Sequence, residues 1–175
     1  MPDRVYNVLF LCTGNSARSI LAEAMLAKDG QGRFQAFSAG SQPKPDVNPM
    51  AIQVLRESKY PVEGLRSKSW DAFAGPDAPV MDFVFTVCDS AAGEACPFWP
   101  GKPVTAHWGI EDPAAVEGSE IVRKTAFVTA QRYLKNRISA FLALPLASLD
   151  QVALTAQVRE IGQQAGASSP RPEVA

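Results

Sequence analysis

Histidine is almost missing from this sequence: His107 stands alone among 175 residues, beside three cysteines. With one imidazole and no closely spaced cysteine pair, the spacing of a structural zinc site is not there. No metal is expected, and His107 reads as a packing residue. Three cysteines are few and odd in number for a disulfide-built secreted scaffold, so reactive thiols in a reducing, cytoplasmic compartment are the expectation. Neither sign of charge is in excess: 17 Lys and Arg against 18 Asp and Glu leave a net charge of −1. That balance supplies no broad field for nucleic acid or an anionic membrane surface. The longest apolar run, Ile138 to Leu149, is broken by Pro145 and falls short of the roughly 20 residues that span a bilayer. The N-terminal stretch does not read as a secretory leader, because Asp3 offsets Arg4 and bulky Phe10 and Leu11 stand where small cleavage-site residues are needed. The remaining expectation is a soluble monomer with one core. It must catch its ligand with a local device.

The apolar pattern supplies a frame for that device. Val5 to Leu11 is a continuous apolar run ending at a Gly/Asn/Ser loop, the mark of a strand buried on both faces. Ala17, Ile20, Leu21, Ala24 and Met25 then recur at helical spacing up to Gly30. A second unit follows, with a strand from Phe34 to Ser38 and a helix opened by Asn48-Pro49 and running to about Ser58. The proline- and glycine-rich stretch from Pro61 to Pro79 is predicted to be loop, apart from a short helix near Trp70 to Phe73. Asp82 to Val87 and Pro103 to Trp108 complete four strands. Helical periodicity returns from Ser119 to Leu142, with Ile121, Ala126, Phe127, Ala130, Leu134 and Ile138 on one side, and again from Leu149 to Ile161. Alternating strands and helices predict a three-layer α/β fold, a four-stranded parallel sheet with helices on both faces. One domain is expected over residues 1–165, with 166–175 a disordered tail.

Between the first strand and first helix lies Cys12-Thr13-Gly14-Asn15-Ser16-Ala17-Arg18-Ser19. Ligands of open α/β sheets bind beyond the carboxyl ends of strands, and helix N-termini present unpaired N–H groups to anions. Gly14 lets successive N–H groups turn onto one centre, and Arg18 adds a bidentate fork for a tetrahedral oxyanion. Residues 13 to 18 (Thr13, Gly14, Asn15, Ser16, Ala17 and Arg18) therefore read as an oxyanion cradle, with Asn15 bracing it. At a helix start beside arginine, Cys12 is expected to have a lowered pKa and to serve as a thiolate nucleophile, with Ser19 placed to donate to the sulfur.

With these residues in view, the sequence resembles the arsenate reductases that share the low-molecular-weight protein tyrosine phosphatase fold. The likeness runs to about residue 145 and rests on Cys12 to Ser19, Ser38-Ala39-Gly40, Asn48-Pro49, Thr86-Val87-Cys88-Asp89 and Asp112-Pro113. It implies a nucleophile at Cys12, an oxyanion holder at Arg18, a thiolate stabiliser at Ser19 and a general acid at Asp112. Glu111 is the second candidate acid. Cys88, at the end of the third strand, and Cys96, after seven intervening residues, supply the thiols that a reductase needs and a phosphatase does not. The implied reaction is arsenate to arsenite: a thiol–arsenate adduct on Cys12, attack by Cys88, then by Cys96, leaving a Cys88–Cys96 disulfide. Segment 88–99 is expected to rearrange for the sulfurs to meet. No tightly bound cofactor is implied. The partners implied are arsenate, phosphate as a weak competitor, and an external reductant, either thioredoxin or glutathione with glutaredoxin. The Cys88 to Cys96 interval is one residue longer than in thioredoxin-coupled relatives. The alternative is a low-molecular-weight protein tyrosine phosphatase. Against it, Ala114-Ala115 follow Asp112-Pro113 where phosphatases place ring-stacking aromatics.

Overall fold

The computed structural model of the chain describes residues 4–88, 99 and 101–168. Four strands, β1 (Tyr6–Cys12), β2 (Phe34–Gly40), β3 (Phe83–Thr86) and β4 (Val104–His107), form one sheet in the order β2-β1-β3-β4 with every pair parallel. Four α-helices are described: α1 (Arg18–Asp29), α2 (Pro49–Glu57), α3 (Glu120–Leu142) and α4 (Gln151–Ile161). Each expected element is present within a few residues of its expected bounds, including a 3-10 turn at Trp70–Phe73. A second 3-10 turn stands at Pro113–Ala115, directly after Asp112.

β1 is central, and Val8, Leu9, Phe10 and Leu11 are fully buried, which is why its sequence is apolar at every position rather than alternating. Val8 and Phe10 share a face with Phe83, Phe85, Val104 and Ala106, and buried residues of all four helices join that cluster. Leu9, Leu11 and Val84 face the other way, against Phe73, Met81 and Trp99. The build is three-layered: among the described residues the four α-helices pack on one face of the sheet and the 3-10 helix of residues 70–73 packs on the other. The helical layer is keyed to the sheet by aromatics: Phe85 stacks on Trp108 at 3.9 Å and meets Phe141 of α3 edge-on at 5.4 Å. Such pairs add about 0.5–1.5 kcal/mol each beyond the area they bury.

α3 departs from the expected face at two places. Ile121 is 78% exposed because the first turn of the helix overhangs the core, while Gln131 and Arg137, polar on paper, are buried. Residues 166–168 also depart from expectation. Assigned to a tail, they are tied to the domain, with Ala167 bridged to Ile110 and the Ser168 amide donating to the Gly109 carbonyl.

Candidate active site

The strand order decides where a ligand can sit. From β1 the chain crosses to β2 on one side, and β3 and β4 lie on the other, so the loops leaving β1 and β3 diverge and open a crevice between neighbouring strands. Cys12 is the last residue of β1, and Cys88 follows the end of β3 by two residues. Both sulfurs are thereby brought to one spot from distant parts of the sequence.

The helix that starts there is left open. α2, α3 and α4 are capped by the side chains of Asn48, Ser119 and Asp150. α1 has Ala17 at that position and no side-chain cap. Its first N–H groups are available to an anion. The preceding loop is turned so that its carbonyls point away: Thr13, Gly14 and Ser16 accept from the amides of Gln42, Lys44 and Asn48, at 3.0, 2.9 and 2.9 Å. Asn15 is the brace. Fully buried and in the left-handed region at φ 45°, it donates from Nδ2 to Ser19 Oγ at 2.8 Å and accepts the Lys68 amide on Oδ1 at 2.8 Å. Its carbonyl takes the Ser67 hydroxyl at 2.7 Å. Because Ser19 Oγ accepts from Asn15, the serine proton remains to be donated elsewhere. Gly40 accounts for the Ser38-Ala39-Gly40 stretch. A Cβ there would lie 2.4 Å from the Thr13 carbonyl oxygen and 2.9 Å from that of Cys12, so the loop rests directly on the end of β2.

Arg18 reaches across the crevice to the loop after β4. Its Nη1 donates to the Ile110 carbonyl at 2.8 Å, and Nη2 lies 3.6 Å from Asp112 Oδ2. Its Nε is buried without a hydrogen-bond partner among the described residues, the kind of unmet donor that an incoming oxyanion would satisfy. Asp112 uses its other oxygen to cap the 113–115 turn, accepting the Ala114 amide at 2.9 Å. The Asp-Pro pair was a signal for that turn, as cap and first-turn proline. Of the two candidate acids, Asp112 is the one paired with Arg18; Glu111 is exposed.

The thiols correct one expectation, the lowered pKa of Cys12. Its pKa is pushed well above the ordinary thiol range, first by a hydrogen bond with Cys88 and then by burial, against the downward pull of the Arg18 charge and the Gly14 amide. Cys88 Sγ also receives the Thr13 amide at 3.3 Å. Replacing Cys88 by alanine removes the largest upward cause, so the Cys12 pKa is expected to fall. Each unit of fall should speed alkylation of Cys12 by iodoacetamide near neutral pH about threefold, allowing for the weaker nucleophilicity of a more acidic thiol. The check is the alkylation rate of the Cys12 peptide against pH, and a profile identical to that of the parent protein would refute the assignment.

A half-buried pair behind the loop escaped sequence reading. Ser38 Oγ donates to Glu23 Oε1, Lys68 Nζ lies 3.6 Å from the same oxygen, and burial raises the Glu23 carboxyl and lowers the Lys68 ammonium. Ser38 was visible in its Ser-Ala-Gly stretch, but Glu23 and Lys68 carry no motif of their own. His107 Nδ1 lies 2.7 Å from Thr86 Oγ1 and links β4 to β3. Cys96, and the rearrangement expected over 88–99, lie outside the described residues apart from Cys88 and Trp99.

Comparison with known proteins bears on this site. The profile of the family described as low molecular weight phosphotyrosine protein phosphatase matches residues 7–152. An arsenate reductase from Oceanobacillus iheyensis is 35% identical over 134 residues, which are 77% of this chain and 93% of that protein. Among solved structures, an arsenate reductase in the phosphate-binding state superposes with a TM-score of 0.59 at 27% identity, covering 77% of this chain and 97% of that one. A thioredoxin-dependent arsenate reductase from Corynebacterium glutamicum shares the fold, with a TM-score of 0.52 at 24% identity over 79% of this chain and 64% of that one.

Proposed function

The chain belongs to the low molecular weight phosphotyrosine protein phosphatase family, and from that premise we propose that it is an arsenate reductase, a thiol-dependent oxidoreductase. The observation that carries the proposal is the second thiol: Cys88 lies beside Cys12, the residue a phosphatase of this fold would use alone, with its sulfur on the Thr13 amide at 3.3 Å. The Oceanobacillus iheyensis protein, 35% identical over 134 residues, is an arsenate reductase. The phosphatase reading shares the anion loop but finds no ring-stacking aromatic after Asp112-Pro113, where Ala114 and Ala115 stand.

The residues divide the chemistry as follows. Arsenate seats on the N–H groups of residues 13–18, its oxygens held by Arg18. Phosphate competes weakly for the same cradle. The Cys12 proton passes to the oxyanion, and Ser19 and the Gly14 amide support the thiolate that remains. Cys12 sulfur attacks arsenic, an As–O bond breaks, and Asp112 in its acid form protonates the departing oxygen, which leaves as water. Cys88 sulfur then attacks Cys12 sulfur; the S–As bond breaks, its electron pair goes to arsenic, the Cys88 proton passes to the departing oxyanion, and arsenic(V) leaves as arsenite. Two sulfurs have each given up one electron, and a Cys12–Cys88 disulfide holds the oxidation. Cys96 attacks Cys88, returning Cys12 as a thiol and leaving Cys88–Cys96 for an external reductant of the thioredoxin or glutathione/glutaredoxin class.

One incubation tests the reading. Reduced protein mixed with arsenate, without added reductant, is expected to release about one equivalent of arsenite while Cys88 and Cys96 lose their free thiols, with p-nitrophenyl phosphate hydrolysed poorly in parallel. In a Cys96→Ser variant the bond is expected to stop at Cys12–Cys88. Vigorous phosphatase turnover with no arsenite would reject the proposal.

A further inference from the structure

The family match ends at residue 152, yet the chain beyond it returns to the active site. α4 covers the β4 edge, with Trp108 Nε1 donating to the Val158 carbonyl at 2.8 Å. The chain then turns back across α3, where it meets Arg137. This side chain is fully buried, and its hydrogen bonds go to main-chain carbonyls: Nη1 to Tyr133 at 3.1 Å and Ala165 at 3.4 Å, Nη2 to Gln164 at 3.2 Å. Burying a guanidinium against carbonyls alone is costly, so a structure that keeps it holds residues 164–165 firmly. Gly166, at φ +91°, lies so flat on the Tyr133 ring that a Cβ there would fall 2.4 Å from it.

The next two residues reach the acid loop. Ala167 forms an antiparallel bridge with Ile110, and the Ser168 amide donates to the Gly109 carbonyl at 3.0 Å. Ile110 is the residue whose carbonyl orients Arg18, and Asp112 is two positions on. Just past Asp112, the 113–115 turn of the acid loop packs against α3. Beside that contact lies a cleft of about 470 Å³ lined by Asp112, Pro113, Thr125, Tyr133, Gly166 and Ala167. The returning chain gives the loop a second support, at Gly109 and Ile110.

We propose that residues 163–168, anchored by Arg137, act as a positioning strap that sets where Arg18 and Asp112 stand relative to Cys12. The proposal rests on the assignment of Arg18 and Asp112 to oxyanion binding and proton donation. The strap touches no substrate. It works through the Gly109-Ile110 main chain, so its loss costs oxyanion affinity through Arg18 and the rate of adduct formation through Asp112.

The test uses the full chain, a chain ended after Gln163, and Ser168→Pro, which removes the amide bonded to Gly109 while leaving the Arg137 clamp in place. Two quantities are read: the phosphate concentration that half-protects Cys12 from iodoacetamide, and the single-turnover rate of arsenite release at saturating arsenate. Both variants are expected to need at least about fivefold more phosphate and to release arsenite about tenfold more slowly, the scale of loss from sub-ångström misplacement. Their far-UV circular dichroism at 25 °C is expected to match the parent. Should the truncated chain fail to fold, Ser168→Pro alone decides. Variants with a lower melting temperature but unchanged phosphate protection and arsenite rate would overturn the strap. If the full chain makes no arsenite, the reductase reading falls, and the strap is still judged by phosphate protection.

Discussion

Serine at position 12 is expected to leave a folded protein that binds arsenate and releases no arsenite. The side chain is small and buried at the end of a core strand, and serine keeps its shape while losing one hydrogen bond to Cys88, a change of about 1 kcal/mol or less in stability. In the proposed site the oxyanion contacts come from the loop amides and Arg18, which the substitution does not touch, so affinity for arsenate should change little. The chemistry has nothing left to start it, since a hydroxyl forms no adduct that a second thiol can resolve by taking the oxidation. The expected fall in kcat/KM is at least about 10⁴-fold, the order seen when a nucleophile is removed from an otherwise intact site. Arsenite formation above a hundredth of the parent rate would show that another thiol starts the reaction. Calorimetric titration with arsenate separates loss of chemistry from loss of binding.

Arg18→Lys is expected to be nearly as damaging, although the charge is retained. The guanidinium is used on three sides: Nη1 on the Ile110 carbonyl, Nη2 beside Asp112, and a buried Nε that has no partner among the described residues. Lysine offers one point of charge on a flexible stem and cannot reproduce that fork. It also releases the carbonyl that fixes the acid loop. A loss of about 10²- to 10³-fold in kcat/KM is expected, carried mainly by a higher KM for arsenate, since a bidentate charge-assisted contact and a preorganised donor each contribute about 2–4 kcal/mol. A lysine variant within tenfold of the parent would mean that charge alone suffices and that the fork is incidental.

Most of the frame was legible because it rests on local rules. The apolar run of β1, the Asn48-Pro49 start of α2 and the Ser119 cap of α3 each announce themselves within a few residues. The cradle of residues 12–18 was legible for the same reason, as a glycine-bearing loop between strand and helix ending in arginine. The upward push on the Cys12 pKa was not. Its first cause, Cys88, is 76 positions away in the sequence and becomes a neighbour only through strand order. Arg137 was illegible for a related reason. A charged residue in a long helix reads as solvent-facing, and the carbonyls that receive it belong to residues 164 and 165. Contacts made by main-chain atoms leave no trace in side-chain chemistry. The Glu23 and Lys68 pair was hidden likewise, since each charge is ordinary until the other is placed beside it.

The neighbouring of β1 and β3 also gives the proposed thiol relay through Cys12, Cys88 and Cys96 a direction. A disulfide between positions 12 and 88 closes roughly 77 residues, and one between 88 and 96 closes nine. By loop-closure entropy alone, an unfolded chain forms the short loop more readily than the long one by about 2 kcal/mol. The sheet overrides that preference by holding the ends of β1 and β3 side by side, so the bond that is statistically improbable forms first. Any loosening of the sheet favours its successor. The order of the two disulfides is thereby written into strand adjacency: the fold makes the first bond possible, and chain statistics favour the second.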